Sequence, residues 1–343
     1  MTATTEKSMR SNIAKVDSSC NLCGSTSREL VTRGREHEYD NTTDDVFSVV
    51  RCTDCGLYYL NPRPDVSELA TIYPPNYYSY GQQKLKEQAN PNSILHKVRY
   101  RGFMAKISKA LELVPKSDPV TVLDIGCGDG HTLNLFREVP GARVETHGVD
   151  FNAGAIAEAA RQGHKTYLGR FEDADLPVGY FDLVMASHVI EHVEDPRGFT
   201  QKVRSILKPG GIFWFETPNI ESLDARLFRQ QHWGAYHFPR HWYFFGPNSV
   251  KKLAAQTDFQ IVMIDYVWNA IFWFWTFHSM IVSFNPKLRK LADVLFPAID
   301  FQRDTLGNFL RICFFCGIDV LIKIATGQTS NMMVAFRKPD QAS

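Results

Sequence analysis

The chain reads as an α/β protein built on a parallel sheet covered by helices on both faces, and three observations predict it. Strand-like runs at 121–126, 144–150, 181–186, 212–217 and 259–267 alternate with helical stretches at 131–138, 152–162, 197–207 and 247–256, the pattern of repeated strand–helix–strand units. The first run passes straight into Gly126, Gly128 and Gly130. Without Cβ atoms these residues can take positive φ and bring main-chain N–H groups close to a ligand before the next helix begins. The second run ends in Asp150, about twenty positions beyond the turn, where a carboxylate can accept both hydroxyls of a ribose.

Two details exclude an ordinary dinucleotide site. The glycines follow G-x-G-x-G instead of G-x-G-x-x-G, and Asp124 sits at the strand end, where a pyrophosphate would meet a negative charge. A cationic nucleoside suits that carboxylate.

Ahead of the sheet lies a different kind of sequence. At 343 residues with 44% hydrophobic content, the chain exceeds one typical domain. Its net charge of +1 gives no footprint for general nucleic-acid binding, so a small neutral or lipid-like partner is favoured. Residues 1–15 lack the apolar core of a secretory signal, which predicts a cytoplasmic protein. In that compartment cysteines are metal ligands or core residues. Cys20, Cys23, Cys52 and Cys55 form two C-x-x-C-G knuckles, a zinc-ribbon pattern whose four thiolates close a structural zinc site. Cys313 and Cys316 lack a glycine knuckle and read as core; Cys127 reads as a packing residue in the glycine turn. The predicted division is a zinc ribbon over 1–66, a linker with Tyr73, Tyr77, Tyr78 and Tyr80 over 67–100, and the sheet domain over 101–343, with an apolar insertion at 267–330. Residues 81–92 read as a solvated linker.

Taken together the motifs resemble the class I S-adenosylmethionine-dependent methyltransferases, over roughly 111–267 and again 331–339. Residues 122–130 are similar to that family's first motif, 169–177 to its adenine-side loop, 181–186 to its fourth strand and 207–218 to the turn and strand that follow. The resemblance implies a Rossmann-like seven-stranded methyltransferase sheet and S-adenosylmethionine as cofactor. It also implies a cofactor site of Asp124, Gly126, Cys127, Gly128, Gly130, Asp150, Phe151, Phe171, Glu172 and Ser187. Family members with a zinc ribbon resemble the order C-x-x-C-G-L, N-P-x-P and I-Y-x-x-x-Y-Y seen here, which implies a tyrosine segment closing over the cofactor; packing between domains is the other reading.

The most chemical cluster follows the 181–186 run. A helix starting there would set His188, Glu191 and His192 on one face. Methyl transfer to a hydroxyl needs a base, for which His192 or His241 qualifies. Alternatively His188, Glu191 and His192 hold a second divalent metal. The Glu-His pair resembles that of ubiquinone-biosynthesis O-methyltransferases and small-RNA 2′-O-methyltransferases, where an acidic residue stands three positions earlier. Here His188 takes its place, which disfavours magnesium and leaves zinc, manganese or no metal. In a third reading Glu191 and His192 only order the local chain. Residues 230–245 are dense in aromatics, most of which read as core, and the resemblance puts His241 and Trp242 over the acceptor pocket.

The insertion separates the last two strand-like runs, 259–267 and 332–337, which the family would join directly into an antiparallel pair. No charge occurs between Asp265 and Lys287, and residues 306–325 carry Arg311, Asp319 and Lys323 at helical spacing. Residues 268–284 are too short and too polar for a membrane span. A lid, a dimer face or a peripheral membrane contact remain, with a lipid-linked acceptor as one partner class. The expectation is methyl transfer from S-adenosylmethionine to a hydroxyl of a small molecule: a sugar, a quinone precursor, a lipid-linked compound or a secondary metabolite. C- or N-methylation is the near alternative, and an inactive scaffold whose ribbon grips a partner is the distant one.

Overall fold

The structure, a computed structural model, describes residues 12–77, 93–299, 303 and 305–340. Tyr78, Tyr80, the 81–92 linker and residues 1–11 lie outside the described residues. The N-terminal part contains β1 (Lys15–Val16), β2 (Arg28–Gly34), β3 (Phe47–Cys52), β4 (Tyr58–Leu60), β5 (Arg63–Pro64) and the short helix α1 (Leu69–Ile72). Helix α2 (Ile94–Leu113) leads into β6 (Val120–Ile125), α3 (His131–Arg137), β7 (Val144–Asp150), α4 (Ala153–Arg161), β8 (Lys165–Leu168), β9 (Phe181–Ser187), α5 (Pro196–Ile206) and β10 (Leu207–Pro218). The remainder is α6 (Leu223–Phe228), β11 (Tyr243–Phe244), α7 (Pro247–Gln256), β12 (Gln260–Val267), α8 (Ala270–Phe284), α9 (Arg289–Leu295), α10 (Leu306–Thr326) and β13 (Asn331–Arg337).

Seven strands form the main sheet in the order β12-β13-β10-β9-β6-β7-β8. Strands β8, β7, β6, β9 and β10 run parallel, and β13 enters antiparallel between β10 and β12. The central strands are buried on both sides, as a sheet covered by helices requires: β9 shows no exposed residue along its length. Helix α5 illustrates the local logic. The Asp195 side chain caps it through the Gly198 N–H, Pro196 opens its first turn, and Phe199, Val203 and Ile206 fall on one buried stripe. Reversal of strand order between β6 and β9 opens a crevice at the carboxyl ends of the strands, where the glycine turn lies.

The ribbon is not a detached module. Its sheet has the order β11-β4-β3-β2, so β11, from the loop region after β10, is an outer strand of the N-terminal sheet. Lys252 and Gln256 of α7 donate to the carbonyls of Cys55 and Leu22.

Three expectations change. Residues 188–194 form a turn, not a helix, because His188 adopts φ +54°, outside the helical region, and the chain folds back through His192 N–H to Val189 carbonyl. The short edge strand β8 went unrecognised because its pattern is half exposed and lacks an apolar run. Cys313 is exposed instead of in the core. The insertion forms α8, α9 and α10, and no helix among the described residues is long and apolar enough to cross a membrane.

Candidate active site

The four ribbon cysteines converge. Cys20 Sγ lies 3.3 Å from Cys55 Sγ and Cys23 Sγ 3.5 Å from Cys52 Sγ, and all four lie within 4.8 Å of one another. A tetrahedral zinc with Zn–S bonds of about 2.3 Å sets its sulfurs somewhat under 4 Å apart, so the donor set fits that ion. Gly24 and Gly56 turn each knuckle with φ +74° and +82°, donating their N–H groups back to Cys20 and Cys52.

Across the molecule, the β6–α3 turn has Gly126, Gly128 and Gly130 all at positive φ. A Cβ on Gly128 would meet nothing within 4 Å, so the backbone there faces open space. Asp150 holds this turn: its Oδ2 accepts from Gly128 N–H at 2.9 Å and its Oδ1 from Asn152 N–H at 2.8 Å. Beside it Phe151 is exposed and Tyr73 approaches its ring at 6.3 Å. Burial pushes the Asp124 carboxyl up to about 7 despite nearby Lys106. Lys106, from α2, pairs with Glu216 at 2.7 Å and donates to Ser187 Oγ at 3.4 Å. The crevice floor is therefore lined by Asp124, Ser187 and Glu216 at the ends of adjacent strands, with one lysine among them.

Two sequence-predicted cofactor residues turn their side chains into the core. Cys127 is buried with Leu133 and Ile156, its sulfur turned toward Gly148. Phe171 is buried against Phe199, ring centroids 4.9 Å apart, with Lys202 over its face. Glu172 lies on the Phe171 loop near Arg170.

The chemical cluster is assembled by three chain segments. His188 Nδ1 donates to Glu191 Oε1 at 3.0 Å. Burial alone would raise the Glu191 carboxyl, but the His188 bond and the surrounding imidazoles hold it at about 2. His192 Nδ1 lies 3.0 Å from the Arg240 carbonyl, which can only accept, so Nδ1 carries the proton and Nε2 the lone pair. The same N–H faces Tyr73 Oη at 2.8 Å. His241 is fixed in the same way, its Nδ1 donating to Ala235 carbonyl at 2.7 Å, and its Nε2 lies 4.0 Å from Glu191 Oε1. Burial keeps both imidazoles below their ordinary pKa, and for His241 well below.

The group able to share one ion is thus Glu191, His192 and His241, whose donor atoms lie within 4.8 Å of one another. The expected trio with His188 is replaced because His188, outside any helix, is spent on Glu191. Glu191 Oε2 is buried without a hydrogen-bond partner. An orphaned carboxylate oxygen and two imidazoles held by carbonyls as Nδ1–H tautomers fit a divalent cation.

Sequence reasoning missed what the ribbon contributes. Arg240, wholly buried, is bound by Glu36, approached by Glu38 at 3.6 Å and covered by the Tyr39 ring at 4.5 Å. His237 Nδ1 lies 2.6 Å from Glu38, and its ring stacks on Trp275 of α8 at 4.6 Å. The backbone of α8 approaches so closely that a Cβ on Gly234 would strike the Phe272 carbonyl. The signal for this wall was a pair of glutamates in the hairpin between knuckles, indistinguishable in sequence from a solvated loop. Trp233 and Tyr236 are core, as expected; Trp242, which the resemblance put over the acceptor pocket, is buried too, with Arg63 over its ring.

A family model described as a methyltransferase domain matches residues 94–264. An aklanonic acid methyltransferase of Streptomyces is 35% identical over 116 residues, covering 31% of this chain and 53% of that protein. A ubiquinone biosynthesis O-methyltransferase of Bradyrhizobium is 40% identical over 104 residues, covering 29% of this chain and 40% of that protein. The chain thus spans about half or less of the length of these curated relatives. Among solved structures, phosphoethanolamine N-methyltransferase 2 of Haemonchus contortus has a TM-score of 0.46 at 14% identity, covering 82% of this chain and 63% of that one. The matched segment contains the glycine turn, Asp150, Glu191, His192 and His241, and by that match the chain belongs to the class I S-adenosylmethionine-dependent methyltransferases.

Proposed function

We propose that this protein transfers a methyl group from S-adenosylmethionine to a hydroxyl of a small molecule, with His192 as the base. The observation that carries the reading is the His192 tautomer: a carbonyl-held Nδ1–H leaves Nε2 free to take a proton, in a buried ring kept neutral near pH 7. Gly128 and Asp150 would hold the nucleoside, and the carboxylates of Asp124 and Glu216 would face its positive charge. Bound there, the cofactor would supply an electrophilic methyl carbon to the acceptor oxygen, with the sulfur as leaving group. His192 Nε2 receives the hydroxyl proton, and Tyr73 with the Arg240 carbonyl keeps the ring oriented. The wall formed by His237, Trp275 and Phe272 excludes water. A divalent ion held by Glu191, His192 and His241 is the second reading, favoured by the orphaned Glu191 oxygen; it would lower the pKa of a bound hydroxyl. The relatives named for aklanonic acid and ubiquinone biosynthesis support a ring-bearing, small-molecule acceptor. The test is a mass-spectrometric search of cell extract for species that gain one methyl group with protein and cofactor. Wild type should yield such a species and His192→Ala should not, while cofactor affinity stays unchanged; equal yield from both would reject the base.

A further inference from the structure

Helix α10 is apolar on both its inward and its outward face. Its polar side chains point into the protein: Asp319 is buried, accepting from Trp273 Nε1 at 2.8 Å and Asn269 N–H at 2.9 Å. Lys323 donates to the Tyr266 carbonyl at 2.6 Å and Arg311 to the Val294 carbonyl at 2.9 Å. Beside them Ile312, Phe315, Ile318 and Ile322 pack on Trp273 and Phe274, while a second apolar set points outward. Leu306, Leu310, Phe314, Leu321 and Ile324 are 57–77% exposed, at spacings of three, four and seven that make one stripe. At 1.5 Å per residue that stripe is about 27 Å long. A surface helix ordinarily turns polar side chains to solvent, and an exposed apolar patch of this extent marks an interaction site.

The stripe does not end with the helix. The Arg311 bond to Val294 sets α9 alongside, where Leu291, Val294 and Leu295 are exposed, and Phe284 at the end of α8 is 87% exposed. The charge on this face is mainly positive. Lys287, between α8 and α9, and Lys290, in the first turn of α9, are exposed, whereas the only exposed carboxylate among the described residues of 268–328 is Asp293, which His278 engages at 2.9 Å. Apolar side chains flanked by lysines, with phenylalanines at the surface and no helix among the described residues able to cross, are the chemistry of an element lying in a lipid headgroup layer.

We propose that the α9–α10 face docks on an anionic lipid bilayer surface, independently of the methyl-transfer reading. The test is flotation of the full chain, without cofactor, on phosphatidylcholine vesicles with and without about a third phosphatidylglycerol. Wild type should float with the anionic vesicles and much less with the neutral ones. Lys287→Gln with Lys290→Gln should weaken binding about thirtyfold, and Leu310→Gln with Phe314→Gln should abolish it. All four residues are solvent-exposed, so thermal midpoints should hold. Failure of wild type to float on anionic vesicles, or unchanged binding by the variants, would overturn the proposal. So would a dimer in sedimentation that Leu310→Gln with Phe314→Gln dissociates, combined with no lipid binding, since a second copy would then cover the stripe.

Discussion

Glu36→Gln isolates the coupling between ribbon and active site. Glu36 and Arg240 are both fully buried and paired, one from the hairpin between zinc knuckles and the other directly before His241. Glutamine keeps an amide oxygen for the Glu38 and Tyr39 N–H groups that Glu36 Oε1 now accepts at 2.8 and 3.2 Å. What is lost is the charge opposite the guanidinium. Removing one partner of a buried ion pair costs about 3–5 kcal/mol, because the other charge stays buried. With unfolding entropy of about 2.1 cal/mol/K per residue, a chain of 343 residues has about 0.7 kcal/mol/K, so the thermal midpoint should fall about 4–7 °C. The double variant Glu36→Gln with Arg240→Met removes both members of the pair and leaves Glu38 with His237 as its partner, so it should recover part of that loss. Calorimetric melting of the zinc-loaded protein is the assay. A Glu36→Gln midpoint within 1 °C of wild type, against the about 4 °C minimum derived above, would refute a load carried by the buried pair.

Three further outcomes follow from the geometry. Gly128→Ala places a Cβ at φ +54° in open space, so stability should drop by only about 1 kcal/mol while S-adenosylmethionine affinity falls tenfold or more, read by titration calorimetry. Protein purified without chelator should carry one zinc per chain by metal analysis, and Cys52→Ser should lose it together with several kcal/mol of stability. Burial holds His192 below its ordinary pKa, so it is protonated only at lower pH than a free imidazole; the acid limb of kcat/KM should have its midpoint below 6.5, with a plateau above. A midpoint above 6.5 would mean that another group is the base.

The sheet was legible because its central strands are apolar runs that alternate with helices bounded by Gly, Asp and Pro: predicted 247–256 matches α7, and 131–138 and 197–207 match α3 and α5 within one residue. The zinc knuckles were legible for the same reason, since spacing alone fixes their geometry. The site's details were less so. His188 broke the expected helix through a positive φ that nothing in Ser-His-Val-Ile announces. His241 joins Glu191 from a loop distant in sequence, and Glu36, Glu38 and Tyr73 arrive from the ribbon side, contacts set by tertiary packing and not by local pattern. Helix α10 showed its helical period plainly, yet period cannot say which face turns inward; Asp319 and Lys323 found partners in β12 and α8 that a one-dimensional reading does not see.

The central claim is a crevice in which Gly128 and Asp150 hold S-adenosylmethionine. Titration calorimetry of wild type and Asp150→Asn tests it most directly. One cofactor should bind per wild-type chain, and Asp150→Asn, which keeps the shape but takes away the charge and half the accepting capacity, should lower affinity at least tenfold. Absence of binding to the wild-type chain, or equal affinity of the two proteins, would contradict it.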